Sequence, residues 1–305
     1  MKILLTGASG LLGSAFAKAA HRRKHEVLGL VGSYSENIEG LDQQKRIDLH
    51  DLATLEKLVL ENFPDAIVNC AAYATPSDCE TDPDKTAEIN VSLPEKLALL
   101  SRHLFARYLH VSSDQVFDGK AAPYSISDDP NPPNKYGEQK SESEKRVLEM
   151  AEEFASVIRI PLLNGNSPRG TRSIHEQLFH AWSHGDRPHL FTDEYRQPCL
   201  TDNLAEAMVE LCERKDQRGL LHWAGENRLS RFEIGQKILI HFGLPEDFIQ
   251  ESQRGDDPRF ANRQADLSLE LQPLAGLLKT RPQAFADQLD ALVVPKPYRN
   301  WFNAI

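Results

Sequence analysis

Lys2-Ile3-Leu4-Leu5-Thr6-Gly7-Ala8-Ser9-Gly10-Leu11-Leu12-Gly13 opens the chain with a short apolar strand that runs straight into a glycine turn, and residues 14–20 continue as a helix. In such an opening Gly7 permits the tight turn, Gly10 lets the backbone approach a pyrophosphate, and Gly13 allows the helix to pack closely on the strand. Phosphates placed there face the free N–H groups and partial positive charge of the helix N-terminus. The spacing, G-x2-G-x2-G, differs by one residue from the G-x-G-x-x-G dinucleotide fingerprint. A glycine turn that joins strand to helix without any ligand is the plain alternative.

Beyond this turn strands and helical patterns alternate. Residues 26–31 read as a second strand, 46–49 as a short third, 53–63 as a helix and 66–70 as a fourth strand. A helical pattern at 83–103, a strand at 108–112, a long helix over 134–154 and a strand at 156–160 continue the series. Such βαβ units predict an α/β fold, a Rossmann-type doubly wound parallel sheet with helices on both faces. Past Pro161 the pattern loosens into helices at 173–185, 204–215 and 231–242. The expected division is a dinucleotide-binding domain over 1–160 and a smaller, mainly substrate-binding C-terminal lobe over 161–305, with 161–165 still reaching the cofactor. Ligands of this architecture bind beyond the carboxyl ends of the strands, where the glycine turn, Asn69 and Ser113 fall.

The 305 residues suffice for a deep core, and 40% of them are hydrophobic, as in a soluble globular protein. A net charge of -10 without a long basic run argues against nucleic acid or a membrane surface as the main partner. Cys70, Cys79, Cys199 and Cys212 show no C-x-x-C spacing, and the first residues read as a strand rather than a leader, so a reducing cytoplasm is expected. No apolar run approaches the roughly 18–20 residues of a membrane span.

Two further segments carry chemistry. Tyr136-Gly137-Glu138-Gln139-Lys140 sets a phenol and an ammonium four residues apart, on one face of a helix. A tyrosine titrates near pH 10, so it exchanges protons near neutrality only where a fixed cation lowers its pKa, and Lys140 has the spacing to do this. Tyr108-Leu109-His110-Val111-Ser112-Ser113-Asp114-Gln115-Val116-Phe117-Asp118-Gly119 ends a strand in two hydroxyls, and Tyr136 follows Ser113 by 23 residues. His175 and His180 stand at i, i+5, which turns the second imidazole away from the first. His180 and His184 share a face without an evident third ligand, so no metal site is expected.

In this order and spacing, the glycine turn, the Ser-Ser-Asp-x-Val-Phe-Asp-Gly strand end and Tyr-x3-Lys resemble the extended short-chain dehydrogenase/reductase family. Within it the chain is similar to the dTDP-4-dehydrorhamnose reductases and to their relative, the regulatory β subunit of methionine adenosyltransferase. The resemblance implies a catalytic set of Ser113, Tyr136 and Lys140. It implies cofactor contacts from Gly7, Ser9, Gly10, Leu11, Leu12 and Gly13, from Asp48 and Leu49 after the third strand, and from Cys70, Ala71, Ala72 and Tyr73 after the fourth. Asn90 occupies the place of a family asparagine. Ile160 and Leu163 fall in the segment beside the nicotinamide, and Tyr136 and Lys140 also face the cofactor. Ser113, Asp114, Gln115, Asn164 and Arg196 are the implied substrate contacts.

Strand two ends Leu30-Val31-Gly32-Ser33-Tyr34-Ser35, without the acid that accepts the ribose hydroxyls of NAD and without an arginine. Ser33 and Ser35 are suited to a 2′-phosphate, so NADP is the expected cofactor and NAD the alternative. Around the expected sugar site the chain departs from the reductase pattern: Glu194 replaces Gln, Arg196 replaces Gly and Cys199 replaces Thr, and residues 258–263 keep only part of Arg-Pro-x2-Ser. The expected activity is reduction of a nucleotide-linked 4-keto-6-deoxysugar. The rival expectation is a cofactor-binding regulatory subunit that docks to a partner enzyme such as methionine adenosyltransferase, motivated by the aromatic tail Tyr298-Arg299-Asn300-Trp301-Phe302; a homodimer is the other assembly considered.

Overall fold

A computed structural model describes residues 1–260 and 263–305; Ala261 and Asn262, in the middle of the departing segment 258–263, lie outside the described residues. Seven strands form one parallel sheet in the order 7-6-5-4-1-2-3. These are β1 (Lys2–Thr6), β2 (Glu26–Val31), β3 (Gln43–Arg46), β4 (Ala66–Asn69), β5 (Arg107–Ser113), β6 (Ala155–Ile160) and β7 (Gly219–His222). Alternation along β1 sends Ile3 and Leu5 into one apolar layer and Leu4 into the other. The first layer is closed by helices α1 (Leu11–Arg22) and α6 (Thr201–Glu213), the second by α2 (Leu52–Asn62), α3 (Leu93–Leu104) and α4 (Lys135–Ala151). The expected doubly wound Rossmann-type sheet is therefore present.

Sheet material does not stop at residue 160. β6 is buried along its whole length and needs a neighbour on its outer side, which β7 supplies in the register Gly219↔Ser156 to His222↔Arg159. Likewise α1 alone leaves half of its layer uncovered, and Leu204, Met208 and Leu211 of α6 complete it. The third strand runs over Gln43–Arg46, three residues before the expected 46–49. Its polar edge carries no apolar alternation, and the apolar Ile47 and Leu49 that drew the expectation lie just beyond, Ile47 N–H still donating to Val31 O at 3.0 Å. The expected helix at 83–103 is interrupted by a π turn at Glu88–Ser92 before α3 begins.

In the remaining residues α5 (Ile174–Ser183) and α7 (Arg231–Phe242) share a core built on Phe179, Trp182, Ile234, Ile238, Phe285 and Tyr298. The aromatic tail packs onto it, with Trp301 and Phe302 ring centroids 6.2 and 5.8 Å from that of Phe179. None of the described helices is long and apolar enough to cross a membrane.

One buried ion pair joins sheet to helix near the future site. Arg159 of β6 donates to Glu144 of α4 at 2.7 and 3.0 Å, and both side chains are almost completely enclosed. Ser112 Oγ donates to the same carboxylate, and the Arg159 guanidinium lies 4.9 Å from the centroid of Phe117. Removing one member leaves the other charge buried and unpaired. Glu144→Ala is expected to lower the unfolding free energy by about 3–5 kcal/mol; a loss under about 1 kcal/mol in urea denaturation would show that the pair is not a structural tie.

Candidate functional site

The carboxyl ends of β1 to β6 open on one cleft of about 1340 Å³, larger than the roughly 300–1,000 Å³ of a typical small-molecule pocket. The glycine turn forms its floor. Gly7 has φ +67°, and a Cβ there would stand 2.7 Å from Ala71 N; a Cβ on Gly13 would stand 2.2 Å from Gly7 O. No side chain caps α1 at Gly10, which leaves its first N–H groups for an anion. Ser9, Leu11, Leu12, Ser33, Asp48, Leu49, Cys70, Ala71, Ala72, Tyr73, Ile160 and Leu163 line the cleft with these glycines, and so do Ser113, Asp114, Gln115, Tyr136, Lys140 and Arg196.

Three residues named from the sequence stand outside this wall. Asn90, in the π turn, is fully buried and all its polar atoms are engaged within the protein. Its Oδ1 accepts from Tyr73 N at 2.9 Å, and its Nδ2 donates to Tyr73 O at 3.0 Å and Gln139 Oε1 at 2.8 Å. It holds the wall residue Tyr73 from behind. Asn164 is likewise buried, its Nδ2 directed to Gln288 Oε1 at 3.3 Å. Ser35 is exposed two residues beyond Ser33 and does not line the cleft.

Ser113 and Tyr136 meet because a glycine lets them. Asn134 caps α4, its Oδ1 accepting from Gly137 N at 2.8 Å, so that Tyr136 falls in the first turn and Lys140 one turn later. A Cβ on Gly137 would lie 2.3 Å from Gln115 O, so the helix start rests directly on the turn that follows Ser113. Inspection of Tyr-x3-Lys passes over Gly137 because helix propensity gives no reason for a glycine there.

The electrostatics differ from expectation at one point. Burial raises the Tyr136 phenol above its ordinary pKa, with the nearby Ser113 hydroxyl opposing the rise and the Asp114 charge adding to it. Lys140 does not supply the lowering cation. Its ammonium is turned to Val111 O at 2.7 Å and His110 Nε2 at 3.3 Å, and burial pulls it down to about 8 against the opposing charge of Glu144. His110 is held neutral, well below its usual pKa, by burial and by Lys140. Behind it Asn69 Nδ2 donates to His110 Nδ1 at 3.1 Å, while Asn69 Oδ1 accepts from Thr6 Oγ1 and Ala71 N. Asp114 Oδ2 is buried in the wall without a partner among the described residues, and burial pushes that carboxyl up to about 6 against the charge of Arg196.

Arginines are what the sequence reading missed. Arg46, Arg169, Arg172, Arg231, Arg259 and Arg263 all line the cleft. Arg46 ends β3, opposite Val31 of β2, so the cation absent from the end of strand two comes from its neighbour. At the other end the buried Glu194 carboxylate gathers Arg263 at 2.5 Å, Arg196 at 3.2 Å and Arg231 at 3.8 Å. Burial works to raise the Glu194 pKa, and these three guanidiniums outweigh it. No group of residues suited to a metal ion occurs among the described residues.

Known proteins share this architecture over most of their length. The chain is 32% identical over 276 residues to methionine adenosyltransferase 2 subunit beta of Xenopus tropicalis, covering 88% of this chain and 80% of that protein. It is 28% identical over 287 residues to dTDP-4-dehydrorhamnose reductase of Mycobacterium tuberculosis, covering 92% and 89%. The crystal structure of a hypothetical dTDP-4-dehydrorhamnose reductase from Sulfolobus tokodaii superposes with a TM-score of 0.81 at 30% identity, over 96% of this chain and 100% of that one. With residues 1–296 matching the pattern of the RmlD substrate binding domain, the chain belongs to that family.

Proposed function

We propose that the chain is an NADPH-dependent reductase of a nucleotide-linked 4-keto-6-deoxysugar, with dTDP-4-dehydrorhamnose as the named substrate. The observation that carries this reading is the convergence of Ser113, Tyr136 and Lys140 on the wall of the cleft whose floor is the glycine turn. NADPH bound along that floor would supply a hydride from its reduced nicotinamide to the carbonyl carbon. Ser113 hydrogen-bonds the carbonyl oxygen and fixes its position. Negative charge then develops on that oxygen, and Tyr136 donates the proton that quenches it. Burial keeps Tyr136 protonated and so in its donor form, and Lys140 swung toward the cofactor would supply the nearby cation that proton release near neutrality requires. Lys140, reoriented from the Val111 carbonyl, holds ribose hydroxyls of the cofactor as an ammonium.

Two features support the ligands. Arg46 beside Ser33 suits a 2′-phosphate. Three guanidiniums around one carboxylate leave surplus positive charge at the far end, which suits the diphosphate of a sugar nucleotide. The regulatory reading is favoured by the similarity to the β subunit from Xenopus tropicalis. It loses the support of the aromatic tail, whose Trp301 and Phe302 are occupied by the chain's own core.

Tyr136→Phe keeps the ring and removes the proton, so turnover with dTDP-4-dehydro-6-deoxy-L-mannose is expected to fall by about 10²–10⁴-fold while NADPH binding is kept. Wild-type turnover no faster than that of the variant, together with copurification of a methionine adenosyltransferase, would instead establish the regulatory reading. Reduction should also decline as pH rises through about 8, where Lys140 loses its proton. Folding stability has the opposite sign there. The folded pKa of Lys140 lies below its ordinary 10.5, so between the two values the unfolded chain binds more protons and the native state gains as pH rises. A pH–rate profile beside denaturation midpoints at the same pH values separates the effects; a rate that stays flat to pH 10 would remove the charge requirement on Lys140.

A further inference from the structure

Residues 165–173 leave the sheet after β6 and cross to the opposite end of the cleft, where they meet the loop that follows β2. The Arg169 guanidinium carbon lies 5.3 Å from the centroid of Tyr34, within cation–π range. Tyr34 is buried and directly follows Ser33, and Gly32, Ser33, Tyr34, Arg46 and Arg169 all line the same cleft. In a doubly wound sheet this place, beyond the carboxyl end of β2, is where the adenosine ribose of a dinucleotide lies.

We infer that Arg169, contributed by the second half of the chain, joins Arg46 and Ser33 in binding the 2′-phosphate of the cofactor. The inference rests on the NADPH reading given above. Neither guanidinium forms an ion pair among the described residues, although acidic residues outnumber basic ones in the chain as a whole. A neighbouring carboxylate, Glu36, accepts from the Tyr34 hydroxyl at 3.4 Å. A phosphate monoester, with nearly two negative charges and three acceptor oxygens, is the group that two such guanidiniums and a hydroxyl match; a ribose hydroxyl needs neither cation.

The loop that carries Arg169 is built to hold its shape. Glu176 is almost fully buried and its carboxylate accepts from Ser167 N and Oγ at 2.7 Å each, from Arg172 N at 2.6 Å and from Ser173 N at 3.0 Å. Gly165, at the start of the crossing, and Gly170, directly after Arg169, both take positive φ. The stack on Tyr34 then fixes where the guanidinium stands. Cofactor binding would therefore draw on both halves of the chain before any substrate arrives.

Calorimetry on the full chain with 2′,5′-ADP and with 5′-ADP isolates the 2′-phosphate and needs no turnover. Wild type is expected to prefer 2′,5′-ADP, Arg169→Ala to weaken it by about tenfold or more with 5′-ADP little changed, and Arg169→Lys to recover part of the loss. If wild type keeps its preference and Arg169→Ala leaves the ratio of the two affinities unchanged, Arg169 has no part in the site and the NADPH reading survives. If wild type shows no preference, the NADPH reading itself fails and the role of Arg169 falls with it.

Discussion

Every strand of a parallel sheet ends at the same edge, and the site depends on that constraint. Parallel neighbours cannot be joined by hairpins, so each crossover returns the chain to the opposite edge before the next strand begins. Thr6, Val31, Asn69, Ser113 and Ile160 are far apart in sequence, yet each ends a strand at or beside one cleft. The glycine turn matters because it follows an interior strand, with β4 on one side and β2 on the other. Its tight packing against Ala71, which a Cβ at Gly7 would prevent, joins the floor of the cleft to the wall after β4.

Polar groups carried into this interior are arranged so that each limits the protonation of the next. The Asn69 amide oxygen already accepts from Thr6 and Ala71, so its nitrogen must face His110 Nδ1, and a neutral His110 then carries its proton on Nε2. That proton points at Ser143 Oγ and lies close to Lys140 Nζ. Among the described residues the ammonium is left with the Val111 carbonyl, at 2.7 Å, as its one good acceptor. A buried tyrosine beside the Asp114 charge completes the picture, since both features disfavour phenolate.

How much of this was legible in the sequence follows from which contacts are local. The glycine turn, the strand end at Ser113 and Tyr-x3-Lys each occupy a few consecutive residues, and their backbone geometry is set by those residues. β7 was not legible as a sheet strand, because Gly219–His222 is short and only its pairing with β6 gives it a place. Arg46 was missed for a related reason: cofactor preference was sought at the end of β2, and the cation belongs to the next strand. Asn90 lies behind the cleft wall instead of in it, a distinction the sequence does not carry, because an asparagine that fixes a wall residue and one that faces the cleft leave the same mark. The relation of Lys140 to Tyr136 was inferred from i, i+4 spacing, which brings two side chains to one face but does not decide which neighbour the ammonium chooses.

The substrate end shows why single departures from a family pattern are better weighed together. Glu194 and Arg196, which stand where the reductase pattern has Gln and Gly, are ion partners in the structure. A glutamine at 194 could accept a hydrogen bond from Arg263 but could not offset the charge that Arg196 adds beside Arg231 and Arg263. An arginine at 196 without Glu194 would leave three guanidiniums facing one another in a partly enclosed wall, a costly arrangement. The two replacements therefore act as one change: they add a cation and an anion, keep the local sum, and fill space that glycine leaves open. The Ser113 and Tyr136 side chains are not replaced by it, although the Arg196 charge reaches Asp114 beside them, whereas the shape and donors at this end of the cleft are not those of the family pattern. A shared fold thus transfers the means of reduction more securely than it transfers the substrate.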